Sequence, residues 1–416
     1  MGGPRPRPAA MTALDPSVAL APPRIAAGTA RFRRMSLALF LGGFSTFSLL
    51  YCVQPLLRTF ARDFSLTPAQ SSLALSLTTG ALAVAILLAG AASQGLGRKG
   101  LMFASMSLAA LLNLAAAFAP SWPLLLLARA AEGFLLGGVP AVAMAYVGEE
   151  MEPRDLGAAM GLYVAGTAFG GMAGRVGMGL LVEIGSWRSA MATIGILDLL
   201  AAAAFFLLLP RSRNFQPTPA RDRQAQAAAW GEALADRRLM ALFAVAFCLT
   251  GVFVTIFNYA GFRLEAPPYG LSQGQTSLIF LVYAFGMVAS STAGRLADRW
   301  GRRTLVAWGL AIMLAGVLLT LPASLPSIVV GVALVTIGFF VAHAVASGWV
   351  GALAGRAKGQ AAALYLLFYY VGSSLAGSAG GAFWRLGGWP AVAGFTAVLA
   401  LAAAVLALRL KEPRLA

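Results

Sequence analysis

The sequence predicts an all-α membrane protein in which twelve transmembrane helices form two pseudo-symmetric six-helix bundles, and three observations predict it. Of the 416 residues, 59% are hydrophobic and 11% are charged, less than half of the roughly 25% charged residues usual in a soluble domain. So few charges cannot cover a soluble surface of this size. Twelve apolar runs are each long enough to cross a hydrocarbon core, and the second half of the chain repeats the first.

The runs cover residues 36–57, 70–92, 101–119, 123–147, 158–182 and 189–209, then 240–261, 276–294, 305–321, 328–353, 361–383 and 391–408. At about 1.5 Å per residue each spans a core of about 30 Å. Backbone groups in lipid must be satisfied within the segment, so runs rich in Ala and Leu are helices. The first run is too long for a cleaved signal and follows a Pro/Arg-rich tail. The expected organisation is a disordered cytoplasmic tail (1–35), a first six-helix bundle (36–209) and a cytoplasmic linker (210–238) with room for a short amphipathic helix around Trp230. A second bundle (239–410) and a short cytoplasmic tail (411–416) follow.

Basic residues set the orientation. With the N-terminus inside, 24 Lys and Arg fall on the cytoplasmic side against Arg58, Arg62, Arg188, Arg263 and Arg385 on the other. Both termini are therefore expected in the cytoplasm of a cell with this chain in its inner membrane. The same placement accounts for the net charge of +16 without nucleic acid as a partner. Cys52 and Cys248 lie inside apolar runs, which supports neither a disulfide framework nor a thiolate metal site.

Leu66, Thr67, Gln70 and Leu73 correspond to Leu271, Ser272, Gln275 and Leu278 at an offset of 205. Gly90, Gly97, Arg98 and Lys99 correspond to Gly294, Gly301, Arg302 and Arg303 at 204, and Gly170, Gly179 and Trp187 to Gly372, Gly381 and Trp389 at 202. So small a drift means a duplicated six-helix unit. Duplicated bundles with a site near the midplane are an architecture of secondary transporters.

Residues Gly294 to Arg303, with Asp298, Arg299, Gly301 and Arg302 between them, join the eighth and ninth runs. Glycines permit the turn, and Asp298 among arginines suits a charge network at the cytoplasmic rim. This stretch resembles the G-x-x-x-D-R-x-G-R-R signature of the major facilitator superfamily, which implies a gate latch favouring one access state. The first-half copy, with Gly90, Gly97, Arg98 and Lys99, has Gln94 at the acidic position and Gly95 at the following arginine, so no matching charge latch is expected there. Gly95 to Gly100 also reads G-x-G-x-x-G, but no strand precedes it and no Asp or Glu occurs between Gly100 and Arg129 to hold a ribose. Arg129, Glu132 and Gly133 resemble the superfamily's R-x-x-Q-G motif, with Glu for Gln. Gly166, Gly170, Gly171 and Gly174 resemble its glycine-rich antiporter motif, with Arg175 at the final glycine. Tight helix packing accounts for the glycines equally well. The stretches from Tyr51 and from Asn258 resemble the YnfM-like group of bacterial facilitators, which implies proton-linked efflux without a defined substrate.

Intramembrane charges are expensive and usually functional. Arg129, Glu132, Arg175 and Asp198 lie at similar depths, roughly 9–15 Å below the outer surface at 1.5 Å per residue, and are expected to form one proton-coupling cluster. Burial disfavours a charged carboxylate and a nearby guanidinium favours it, so movement of Arg129 would toggle Glu132. The alternative is a permanent set of ion pairs that anchors helices. By resemblance the sixth helix is peripheral, which favours the anchoring role for Asp198. The resemblance also puts the first, fourth, seventh and tenth helices around a central cavity, which makes Tyr51, Gln54, Asn258, Tyr259 and His343 candidate substrate contacts, with Tyr365 and Tyr369 from the eleventh. For His343 a hydrogen-bonded core role stands beside the cavity role. The expected partners are protons, lipid and a small amphipathic organic solute, handled by a monomer that exports it, with import on the same fold or a non-transporting sensor as the rivals. No cofactor is expected, and the chain contains no H-E-x-x-H, G-x-S-x-G or P-loop signature of an enzyme.

Overall fold

The computed structural model describes residues 24–215 and 223–410, without the side chains of 89–96 and 223–226. The first half contains α1 (Ala30–Tyr51), α2 (Leu57–Asp63), α3 (Pro68–Ser71), α4 (Leu73–Leu96), α5 (Arg98–Ala117), α6 (Trp122–Leu136), α7 (Gly138–Glu150), α8 (Leu156–Glu183) and α9 (Trp187–Leu208). After α10 (Arg223–Ala235) come α11 (Arg237–Leu264), α12 (Gln273–Ser277), α13 (Tyr283–Trp300), α14 (Arg302–Leu319), α15 (Leu325–Leu353) and α16 (Lys358–Arg409). Eleven of the helical stretches are long and apolar enough to cross a membrane. The last of them holds two crossings, because Gly387 and Gly388 leave helical geometry (φ −159°, ψ 26° and φ 58°, ψ −145°) and fold α16 into two arms. Twelve crossings result, six on each side of α10.

The duplication read from sequence is repeated in packing detail. Gly170 on α8 lies against the Phe44 carbonyl of α1, and Gly372 on α16 lies against the Phe247 carbonyl of α11. Small residues at these crossings let two backbones approach, which is how helices associate where lipid removes the hydrophobic drive. The loops that end α4 and α13 turn at Gly97 and Gly301, with φ of 73° and 87°, values that glycine adopts at little cost and residues bearing a Cβ only under strain.

Two departures from expectation have physical causes. The tail is ordered from Arg24: Ile25 is buried and pairs with the α7–α8 connection through Ile25 N to Glu150 O (2.7 Å) and Glu152 N to Ile25 O (3.1 Å). α1 then starts at Ala30, six residues before the apolar run, because Thr29 caps it by accepting from Phe32 N (3.1 Å) and Arg34 reaches the Leu207 carbonyl (3.0 Å). Residues 1–23 and 411–416 of the expected tails lie outside the described residues. The amphipathic helix expected around Trp230 is α10, with Ala233 buried and Trp230 packed against the core of the second half.

The end of the bundle that carries Arg98, Lys99, Arg302 and Arg303 is the basic end. Direct contacts between the halves run from the opposite end to about mid-depth: Gly381 sits on Ala69, Ser378 Oγ lies 2.8 Å from Ser76 Oγ, and Gly80 faces Ser374. Gly179 faces Ser277, Glu183 accepts from Gly274 N (2.6 Å), and Thr59 donates to Gln273 (3.0 Å). Replacing Gly170 or Gly372 by Ala is expected to cost about 1–3 kcal/mol each, as overpacking usually does. The check is the thermal midpoint of the detergent-purified protein, with Gly161→Ala, whose Cβ would meet open space, as the unchanged control.

Candidate functional site

The site begins with a break. Pro55 lacks an N–H and α1 stops at Tyr51, which orphans carbonyls of its last turn at membrane depth. Arg129, fully buried on α6, takes them: Nη1 donates to Leu49 O (3.1 Å) and Nη2 to Leu50 O (2.9 Å). Its Nε donates to Ala74 O of α4 (3.3 Å), and Nη1 also meets Glu132 Oε2 at 2.6 Å. One guanidinium thus ties three helices to the carboxylate one turn along α6. The other Glu132 oxygen, Oε1, is buried without a hydrogen-bond partner.

The four intramembrane charges are not joined by one set of ion pairs. Asp198 on α9 is 1% exposed and accepts from Ser48 Oγ of α1 (3.0 Å), while its Oδ1 is unpartnered. Arg175 on α8 turns to the seam instead: Nε donates to Gln54 Oε1 (2.5 Å), Nη1 to Gly171 O (2.6 Å), and the guanidinium carbon lies 3.9 Å from the centroid of the Tyr51 ring. Similar depth along separate helices did not imply contact. Arg129 and Glu132 share a helix at i,i+3, and they alone of the four are brought together as an ion pair.

The expected cavity residues also divide. Gln54 and Asn258 join the halves through Gln54 Nε2 to Asn258 Oδ1 (2.7 Å). Tyr259 is a packing residue, buried with its hydroxyl on Gly377 O (2.9 Å) and its ring stacked on Trp384. His343 stacks on Phe339 (5.5 Å), lies 4.9 Å from the Tyr369 ring, and has Nδ1 3.0 Å from the Tyr365 hydroxyl. Phe253, Phe257, Phe280 and Tyr283 extend the same aromatic wall and escaped the sequence reading. The i,i+4 spacing of Phe253 with Phe257 and the i,i+3 spacing of Phe280 with Tyr283 were the available signals.

At the basic end, Gly294, Asp298 and Arg299 are exposed on α13, and Gly301 turns the chain into Arg302 and Arg303. Among the described residues Asp298 forms no ion pair, so the charge network expected around it is absent where water screens an exposed loop. The first-half loop, where no charge latch is expected, nonetheless forms an ion pair. Arg98 pairs with Glu149 of α7 at 2.7 Å and covers Phe215, and Lys99 Nζ donates to Leu209 O (2.7 Å). Its acid comes from the end of the fourth crossing and not from the motif position. Gly90 lies within residues 89–96, outside the described side chains.

Residues 39–266 and 265–416 each match the family profile of the Major Facilitator Superfamily. The chain belongs to the Major Facilitator Superfamily. Among its relatives in the superfamily, the MFS-type transporter YybF of Bacillus subtilis is 45% identical over 376 residues, covering 90% of this chain and 93% of the relative. The inner membrane transport protein YnfM of Escherichia coli is 43% identical over 386 residues, 92% of each chain. This facilitator also shares its fold with a bacterial homologue of the human lysosomal transporter Spinster in an inward-facing, unoccupied conformation (TM-score 0.72, 17% identity, 91% and 95% coverage). The nucleoside transporter NupG gives a TM-score of 0.71 at 16% identity, covering 89% and 99% of the two chains.

The Arg129–Glu132 pair carries a measurable load. Arg129→Leu leaves the Glu132 carboxylate and the Leu50 carbonyl buried without a donor and is expected to destabilise by roughly 3–5 kcal/mol. The double replacement Arg129→Leu/Glu132→Leu should recover part of that loss. Detergent unfolding of both variants checks this, and a single variant no worse than the double would refute the account.

Proposed function

We propose that this facilitator is a secondary transporter that carries a small amphipathic organic solute across the inner membrane by alternating access, with proton entry driving export and both termini in the cytoplasm. The carrying observation is the one-sided seam: two similar bundles held together from one end to mid-depth, with the Gln54–Asn258 bond and the aromatic wall beneath that closure. Rocking of the bundles about this level would exchange which end is closed. The basic end is assigned to the cytoplasm from its Lys and Arg excess, so the closed end is the outer one and the state is inward-facing.

Glu132 is the proposed proton carrier. Its Oε1 has no partner, so a proton there would remove charge from a buried group that a single guanidinium now neutralises. That guanidinium also holds the α1 break, which lines the seam through Tyr51 and Gln54. Proton gain and helix movement are thereby linked through Arg129. Asp198, hydrogen-bonded to α1 by Ser48, is assigned to anchoring.

Reconstitution in proteoliposomes tests this reading: a pH gradient, acid outside with respect to the cytoplasmic face, should accelerate export, and Glu132→Gln should abolish that acceleration. Acceleration in the opposite direction would make the protein an importer, and unchanged coupling in the variant would remove Glu132 from the mechanism.

The outer closure is expected to respond to pH through Glu265. Burial pushes its carboxyl up from 4.5 to about 7, against Arg58 and Arg62, which pull it down, with Glu183 adding to the rise. Arg58 Nη1 lies 3.6 Å from Glu265 Oε2 across the seam. A raised carboxyl means that the closed state prefers the protonated form, so closure is fully favoured below about 4.5 and that preference is lost as pH rises through about 7. Spin-label distances across the outer end should lengthen between pH 5 and pH 8, and Glu265→Gln should flatten the response.

A further inference from the structure

Arg175 is a buried cation with only neutral partners. Its side chain is 1% exposed, and among the described residues no carboxylate lies within ion-pair distance. Of the buried carboxylates among the intramembrane charges, Glu132 pairs with Arg129 and Asp198 accepts from Ser48. What surrounds Arg175 is an amide oxygen, a carbonyl of its own helix, and three rings whose centroids lie 3.9, 4.9 and 5.2 Å from the guanidinium carbon, those of Tyr51, Tyr283 and Phe280. Ring faces and oxygen dipoles stabilise a cation without neutralising it. Charges at this depth are ordinarily paired, since an ion removed from water is costly to leave uncompensated.

The position of this cation matters as much as its isolation. Arg175 belongs to the first half, whereas Phe280 and Tyr283 belong to the second, so the guanidinium sits in the seam that a transported solute must cross. Gln54, its hydrogen-bond acceptor, is in turn bonded to Asn258 of the second half, whose own Nδ2 is buried without a partner. Two unsatisfied demands for an acceptor, a net positive charge and a free amide donor, are thus joined through one glutamine. From Phe280 the rings continue through Phe257 (5.1 Å), Phe253 (5.0 Å) and Phe339 (4.0 Å) to His343 (5.5 Å).

We propose that Arg175 is the substrate-recognition residue and that the solute is an organic anion with a flat apolar body, its carboxylate supplying the counter-ion that the protein lacks and its body lying on the aromatic wall. This names the substrate class within the transporter reading above and rests on it. An arriving carboxylate competes with Gln54 for the guanidinium, so occupancy also loosens the group that bridges the halves to Asn258. A neutral or cationic solute of the same shape would leave Arg175 unpaired and gain nothing from it.

The test uses the full chain in detergent and three probes of one shape: 2-naphthoate, 2-naphthamide and 2-naphthylmethylammonium. Fluorescence titration and thermal midpoint are expected to give binding of naphthoate roughly tenfold to a hundredfold tighter than of the amide, the range for a charge-assisted hydrogen bond. Arg175→Gln should bring naphthoate to the level of the amide while leaving the amide unchanged. Arg175→Lys should keep the anion preference in weakened form, and it stands in if the glutamine variant does not fold. The proposal is overturned if wild-type protein binds naphthoate no better than the amide, including binding neither, or if Arg175→Gln keeps the preference. Flux in proteoliposomes separates the two readings. Transport of neutral or cationic solutes independent of Arg175 would preserve the transporter and remove the anion site, whereas selective naphthoate binding without flux of any solute would preserve the site and remove the transporter.

Discussion

Lipid offers no hydrogen bonds, so a helix that breaks inside it must have its freed carbonyls met by the protein. In this chain Pro55 breaks the first crossing just where it enters the seam, and Arg129 meets the debt from another helix. The site depends on that substitution. At the break Tyr51, the last residue of α1, and Gln54 face the second half, and the guanidinium that repairs it is also the partner of Glu132. A residue that first looks like half of an ion pair is thus a structural bolt with a titratable group attached.

The two halves are alike in frame and unlike in content. Their frames share the glycine crossings of Gly170 and Gly372 and the turns at Gly97 and Gly301. The first half contributes the buried charges Arg129, Glu132, Arg175 and Asp198, and the second contributes the aromatic wall from Phe253 to His343. A division of this kind brings buried charge and aromatic surface together at the seam, where Arg175 meets Phe280 and Tyr283.

The frame was legible because it is written in periodicities and composition. Apolar length marked the crossings, basic loops distinguished the two ends, and paired glycines gave the duplication. Contacts between helices were less legible. Equal depth suggested that Arg175 and Asp198 would join Arg129 and Glu132, but rotation about each helix axis sent Arg175 to the seam and Asp198 to Ser48. Only the i,i+3 pair, fixed by helix geometry itself, was readable in one dimension. The same limit explains Glu149, which serves Arg98 from the end of another helix, and Tyr259, whose polar tip is spent on Gly377. Ordering of Ile25 had no signal at all, since it depends on pairing with a segment more than a hundred residues away.

The hairpin at Gly387 and Gly388 joins the last two crossings with almost no slack. Two rods connected so tightly cannot be pried apart at that tip, and the first of them is the one that presses Ser378 and Gly381 against the opposite bundle. An opening at this end of the seam would therefore lift the pair as one body away from Ser76 and Ala69. Such an opening would move two packed helices together and not a loop.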